Sequence, residues 1–82
     1  MEYLLKSKYD GAKSFYRKAR VKIDGETVEL WSYNTKVMEI KDGEPEVFGT
    51  YSATTLRHIK ELLKQSGYTA ETKKQIEEDY IQ

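Results

Sequence analysis

The stretch TVELWSYNTKVMEIK, residues 27–41, decides the fold. Val28, Leu30, Met38 and Ile40 share one parity, with Ser32, Asn34 and Lys36 interrupting the set; Trp31, Tyr33 and Val37 hold the other. A period of two places alternate side chains on opposite faces of a strand. Fifteen residues exceed the usual strand length. The segment Ser32-Tyr33-Asn34-Thr35 is therefore expected to hold a turn, bend or bulge that changes the buried face, making two strands or one broken strand.

The same alternation extends to both sides. Phe15, Arg17, Ala19, Val21 and Ile23 read as the inward set of a strand over 15–23, with Tyr16, Lys18, Arg20 and Lys22 facing water. Asp24-Gly25 and Asp42-Gly43 supply residues tolerant of left-handed backbone, as tight hairpins need. Pro45 stands just before a further strand over 46–51, at a permitted edge position. Residues 15–51 thus read as an antiparallel sheet of three to four strands. Residues 1–14 read as an irregular arm, with Asp10-Gly11 as a turn.

Helical spacing replaces alternation after Ser52. Leu56, Ile59, Leu62 and Leu63 form one apolar stripe, while Arg57, Lys60, Glu61 and Lys64 cover the other side. Ser52 fits the N-cap and Gly67 the left-handed C-terminal position, giving a main helix over 52–66. Thr69 is the expected cap of a short helix over 69–80 that relies on Ile76 and Tyr80 for docking. Its acidic last turn, Glu77-Glu78-Asp79, opposes the helix dipole. The fold class is α+β: an antiparallel sheet packed by one main helix, in a single small domain of 82 residues.

Composition narrows the function. There is no cysteine, which excludes disulfides and thiolate metal sites. No apolar run is long enough to span a membrane, and no signal-peptide core opens the chain, so the cytoplasm is the expected location. Fourteen bases balance fourteen acids, yet the charge is segmented. Residues 1–22 carry seven bases and two acids, or +5; residues 23–51 carry two bases and seven acids, or −5. A dipolar surface is one outcome and mutual neutralisation after folding the other.

Catalytic chemistry has little to work with. His58 alone titrates near neutral pH, and beside Leu62 at the edge of the apolar stripe it reads first as a structural hydrogen-bonder. The carboxylates cluster in turns, where acids are routine. No phosphate loop or metal motif is present, and no cofactor or metal is expected. Asn34, Thr54, Thr55 and His58 supply hydroxyl, amide and imidazole groups at a strand end and a helix start, a candidate small-ligand site whose plainer reading is turn formation and capping. Lys8, Lys13, Arg17 and Lys18, with Arg57, Lys60 and Lys64 on the helix, are candidate nucleic-acid contacts, or else a solvated face paired with acids such as Glu29 and Glu39. Tyr16, Arg20, Trp31 and Tyr33 are candidate partner-binding residues, because rigid aromatics and arginine are favoured at interfaces. The Trp31 and Tyr33 face needs a cover: the C-terminal helix, a second copy in a homodimer, or a partner.

Lys6-Ser7-Lys8-Tyr9-Asp10, Lys13-Ser14-Phe15-Tyr16, Leu30-Trp31-Ser32-Tyr33-Asn34-Thr35 and the run from Tyr51 to Lys60 resemble a group of small uncharacterised proteins. These are carried by phages, plasmids and integrated elements of Gram-positive bacteria, and the resemblance extends to Asp79-Tyr80. It implies an accessory protein without catalytic machinery that binds and modulates a host or defence-system protein, anti-CRISPR inhibitors being one such class. The alternatives carried beside it are a nucleic-acid binder using the basic aromatic strand and a small-ligand module.

Overall fold

The computed structural model describes residues 1–12, 14–49 and 52–81. Five strands precede two helices: β1 (Glu2–Leu4), β2 (Ala19–Asp24), β3 (Thr27–Ser32), β4 (Thr35–Lys41), β5 (Glu44–Val47), α1 (Ala53–Gln65) and α2 (Lys73–Tyr80). The strands pair antiparallel in sequence order, β1-β2-β3-β4-β5. The α+β class holds, with five strands rather than three or four.

The additional strand comes from the segment expected to be an irregular arm. Glu2, Tyr3 and Leu4 pair with Lys22, Val21 and Arg20. Three residues are too few to display an alternation, so the neighbouring strand supplies what local sequence does not. The strand expected from Phe15 begins instead at Ala19. Tyr16 and Arg17 have φ of 51° and 66°, and the Lys18 N–H returns to the Phe15 carbonyl at 2.9 Å, which makes 15–18 a tight turn.

The long run divides at Tyr33-Asn34, as its length required. Both residues have positive φ, 51° and 71°, the geometry of a two-residue type I′ hairpin. On β4 the register shifts so that Leu30 pairs Met38 while Trp31 pairs Lys36. Val37 is the extra residue of this bulge, and it is buried next to Met38, which strict alternation forbids.

Ser52 caps α1, its Oγ accepting from the Thr55 N–H at 3.3 Å. Gly67, at φ 87°, closes the helix: its own N–H reaches the Lys64 carbonyl and the Tyr68 N–H the Leu63 carbonyl, a Schellman ending. The expected stripe is inside, with Ile59, Leu62 and Leu63 buried and Leu56 packed against them. The second helix starts later than expected. Thr72, not Thr69, is its cap, while the Thr69 carbonyl accepts from the Tyr80 hydroxyl and the Gln75 amide. Ile76 and Tyr80 join the same core as Leu30, Val47 and Leu63. α2 therefore lies with α1 on one side of the sheet and does not cover Trp31. No described helix is long and apolar enough to cross a membrane.

Candidate functional site

The β3–β4 hairpin, the 15–18 turn and the first turns of α1 meet at one corner. Ser32, the last residue of β3, directs its hydroxyl inward. Its Oγ lies 3.0 Å from Thr55 Oγ1 and 2.9 Å from His58 Nδ1. All three side chains are buried, and no buried side-chain polar atom among the described residues lacks a partner. The chain Thr55–Ser32–His58 pins α1 to the sheet through hydrogen bonds in a low-dielectric setting.

His58 also carries ring contacts. Phe15 meets it edge-on at 4.7 Å between centroids, and Tyr33 lies tilted at 6.0 Å. Burial lowers the His58 pKa, Arg57 lowers it further, and Asp10 partly offsets both. The imidazole is accordingly neutral at neutral pH. Its Nδ1 faces the Ser32 hydroxyl at 2.9 Å, as the structural reading expected of a hydrogen-bonder. The Ser32–His58 contact has the form of a nucleophile and base, but Ser32 is only 2% exposed and shares its oxygen with Thr55. Among the described residues no three histidine or acidic side chains gather closely enough to hold a metal ion.

Above this floor opens a cleft of about 190 Å³, lined by Phe15, Tyr16, Lys18, Tyr33, Thr54, Arg57 and His58 among others. Tyr16 is 70% exposed and Tyr33 is 49% exposed. The Lys18 ammonium sits 5.2 Å from the Tyr33 ring centroid, a cation–π contact. The corner thus gathers residues from all three candidate sets: Tyr16 and Tyr33, Lys18 and Arg57, Thr54 and His58. Asn34 is nearby but turns its Oδ1 to Arg20 at 3.1 Å, and Thr55 is committed to the buried hydroxyl chain.

The other candidates lie elsewhere. Trp31 is half-buried on the helix-free face of the sheet, with Lys22 4.3 Å from its ring centroid and its Nε1 donating to Glu29 at 3.0 Å. Lys36 bridges the directly opposed Glu29 and Glu39 at 3.1 and 2.9 Å. Arg20 pairs with Glu2 at 3.3 Å. These ion pairs each join residues of one charge segment, 1–22 or 23–51, and so do not offset the excess base of the first against the excess acid of the second.

The basic set is also divided by acids. Arg57 Nε donates to Asp10 Oδ2 at 2.9 Å in a two-pronged pair, and this hydrogen bond holds the Asp10 pKa down to about 2. Lys60 and Lys64 line a separate depression that includes Asp10 and Glu61. Lys8 lies 5.9 Å from the Tyr9 ring centroid. Lys13 falls outside the described residues, as does Tyr51.

Glu61 departs from the expected solvated helix face. It is 1% exposed, and its Oε1 accepts the backbone N–H groups of Tyr9 and Asp10, each at 2.8 Å. Gln65 Nε2 donates to its Oε2 and also to the Lys6 carbonyl. Burial works against its ionisation, but the Gln65 amide and the backbone N–H groups of Tyr9, Asp10 and Lys8 outweigh it and lower its pKa. This carboxylate latches the loop over 6–12 onto α1. Nothing in its helical position marks it, since the loop that buries it lies more than fifty residues upstream.

No curated protein and no solved structure matches the chain. A family of unknown function (DUF8033) has a model that matches residues 3–78, and the chain belongs to that family.

Proposed function

We propose that the chain is a non-enzymatic protein-binding module that receives its partner at the Tyr16–Tyr33 cleft, and that this partner is a host or defence-system protein. The observation that carries the binding reading is conformational. Tyr16 and Tyr33 both sit at φ 51°, on the rim of one cleft. A bulky side chain in left-handed backbone costs about 1–2 kcal/mol, and strain of this kind clusters where a surface is used. The chain has the usual alternative at hand, for Asp42-Gly43 makes the same kind of turn with residues suited to it. Two tyrosines held in this way present rigid aromatic rings beside Lys18, a composition favoured at interface centres.

Size separates this reading from the small-ligand one. A cleft of about 190 Å³ is smaller than the usual small-molecule pocket of roughly 300–1,000 Å³ and suits one anchoring side chain of a protein. The basic residues support nucleic acid less well, because Arg57 and Arg20 are paired with acids and Lys60 and Lys64 stand beside Glu61. The class of partner rests on the resemblance to phage and mobile-element proteins, which commonly act on host factors.

The test is capture from a bacterial lysate, run with and without nuclease treatment. Immobilised wild-type protein is expected to retain a discrete protein, and a Tyr16→Ala/Tyr33→Ala double variant with unchanged circular dichroism to retain none. Retention of nucleic acid in place of protein, with binding that falls steeply as salt rises, overturns the reading.

A further inference from the structure

We infer that the free edge of β1 pairs with the same edge of a second copy of this chain. The inference is independent of the cleft and starts from the backbone. The Leu5 N–H donates to the Ala19 carbonyl and the Ile23 N–H to the Met1 carbonyl, at 2.9 and 2.7 Å. In an antiparallel ladder, hydrogen-bonding direction alternates along the strand. Met1, Tyr3 and Leu5 therefore turn their backbone polar groups toward β2, and Glu2 and Leu4 turn theirs to the open edge of the sheet.

The two edges of the sheet are treated differently. At β5 the Phe48 N–H donates to the Val37 carbonyl, so the odd-numbered residues face outward, and one of them is Pro45, which has no N–H. Glu44 and Glu46 flank it, and α2 packs against this strand. These are the usual means of blunting an edge. β1 has no proline, and it exposes Tyr3 at 40% and Leu4 at 41%.

The occupant follows from the register. An antiparallel pair centred on Tyr3 sets Glu2 of each copy opposite Leu4 of the other. The N–H and C=O groups of both residues then meet in four hydrogen bonds, a self-complementary set with two-fold symmetry. Tyr3 faces its own copy directly, and the two Leu4 side chains lie one diagonal step apart on the outer face. Reading across that face, Lys22 and Glu2 of one copy are followed by Leu4 and Arg20 of the other. No like charges stand directly opposite.

Sedimentation equilibrium of the full chain from about 10 μM to 1 mM tests the inference. The wild type is expected to approach twice its monomer mass, and amide exchange at Glu2 and Leu4 to slow with concentration. Leu4→Pro removes an outward N–H and leaves the β2 side of the ladder intact. Tyr3→Lys sets two ammonium groups face to face. Both variants are expected to remain monomeric with wild-type circular dichroism, while Tyr16→Ala still dimerises. A wild type that stays monomeric at the highest concentration overturns the inference. So does a dimer whose slowed amides lie away from β1, or one that survives both edge substitutions.

Discussion

The backbone N–H of Tyr33 donates to the carbonyl of Lys18 at 3.0 Å, tying the hairpin turn that carries one rim tyrosine to the turn that presents the other. Each turn alone is a local feature of the chain. Joined, they hold Tyr16 and Tyr33 over Phe15 and His58 and give the cleft its form.

The strain at Tyr33 predicts an unusual order of stabilities. Tyr33→Asn and Tyr33→Ala both lose the ring contact with His58, but only asparagine relieves the left-handed backbone. The asparagine variant is expected to be about 1 kcal/mol more stable than the alanine variant. In a domain of this size that separates their melting temperatures by about 4–8 °C. Both are expected to lose the partner. Equal melting temperatures would show that the turn is not strained.

His58 sets a pH window. Its unfolded pKa is near 6.5, and burial lowers the folded value. As pH falls through that interval the unfolded chain takes up a proton that the folded protein does not, so stability declines. Above pH about 7 the imidazole contributes no slope. Urea unfolding between pH 7.5 and 5 is expected to show the decline, and His58→Gln to flatten it. A wild-type profile with no slope there sinks the assignment.

Glu61 governs the N-terminal loop. Glu61→Leu leaves the N–H groups of Tyr9 and Asp10 without their acceptor, at a cost of about 2–3 kcal/mol. Exchange of these two amides is expected to quicken well before the β3 and β4 amides respond. The folded pKa of Glu61 is lowered, so its stabilisation is complete above the ordinary glutamate range and disappears as pH falls through the folded value. Asp10 follows the same sign: the Arg57 hydrogen bond holds its pKa down to about 2, and its contribution is lost only as pH falls toward that value.

Trp31→Ala is expected to cost about 1–2 kcal/mol, below the 3–5 kcal/mol of a fully buried tryptophan. The ring is half-buried and loses one cation–π contact and one hydrogen bond to Glu29. Chemical denaturation measures the difference, and a loss at the higher range would place Trp31 among the core residues.

Much of the sheet was legible because alternation reports a face directly. Val21, Leu30, Met38 and Ile40 are buried as their parity requires, and the break at Tyr33-Asn34 follows from the excess length of the run. The helix stripe and both ends of α1 were equally readable, since capping and closure depend on residues within one turn. The short β1 was not, nor the late start of β2, because neither has a local signal strong enough to set a boundary. Tyr16 and Tyr33 were legible as candidate contacts, but their shared cleft was not.

The sequence by itself determined the α+β class, the hairpin turns, the buried stripe of α1 and the scarcity of catalytic groups. All of these depend on periodicity and on chemistry within a few residues. The tertiary structure alone decided which distant groups meet: Glu61 with the amides of Tyr9 and Asp10, Ser32 with His58, and the two tyrosine turns with each other. The reason is that a buried polar group must find a partner wherever the folded chain supplies one, and the spacing of residues along the sequence does not record which segment will arrive.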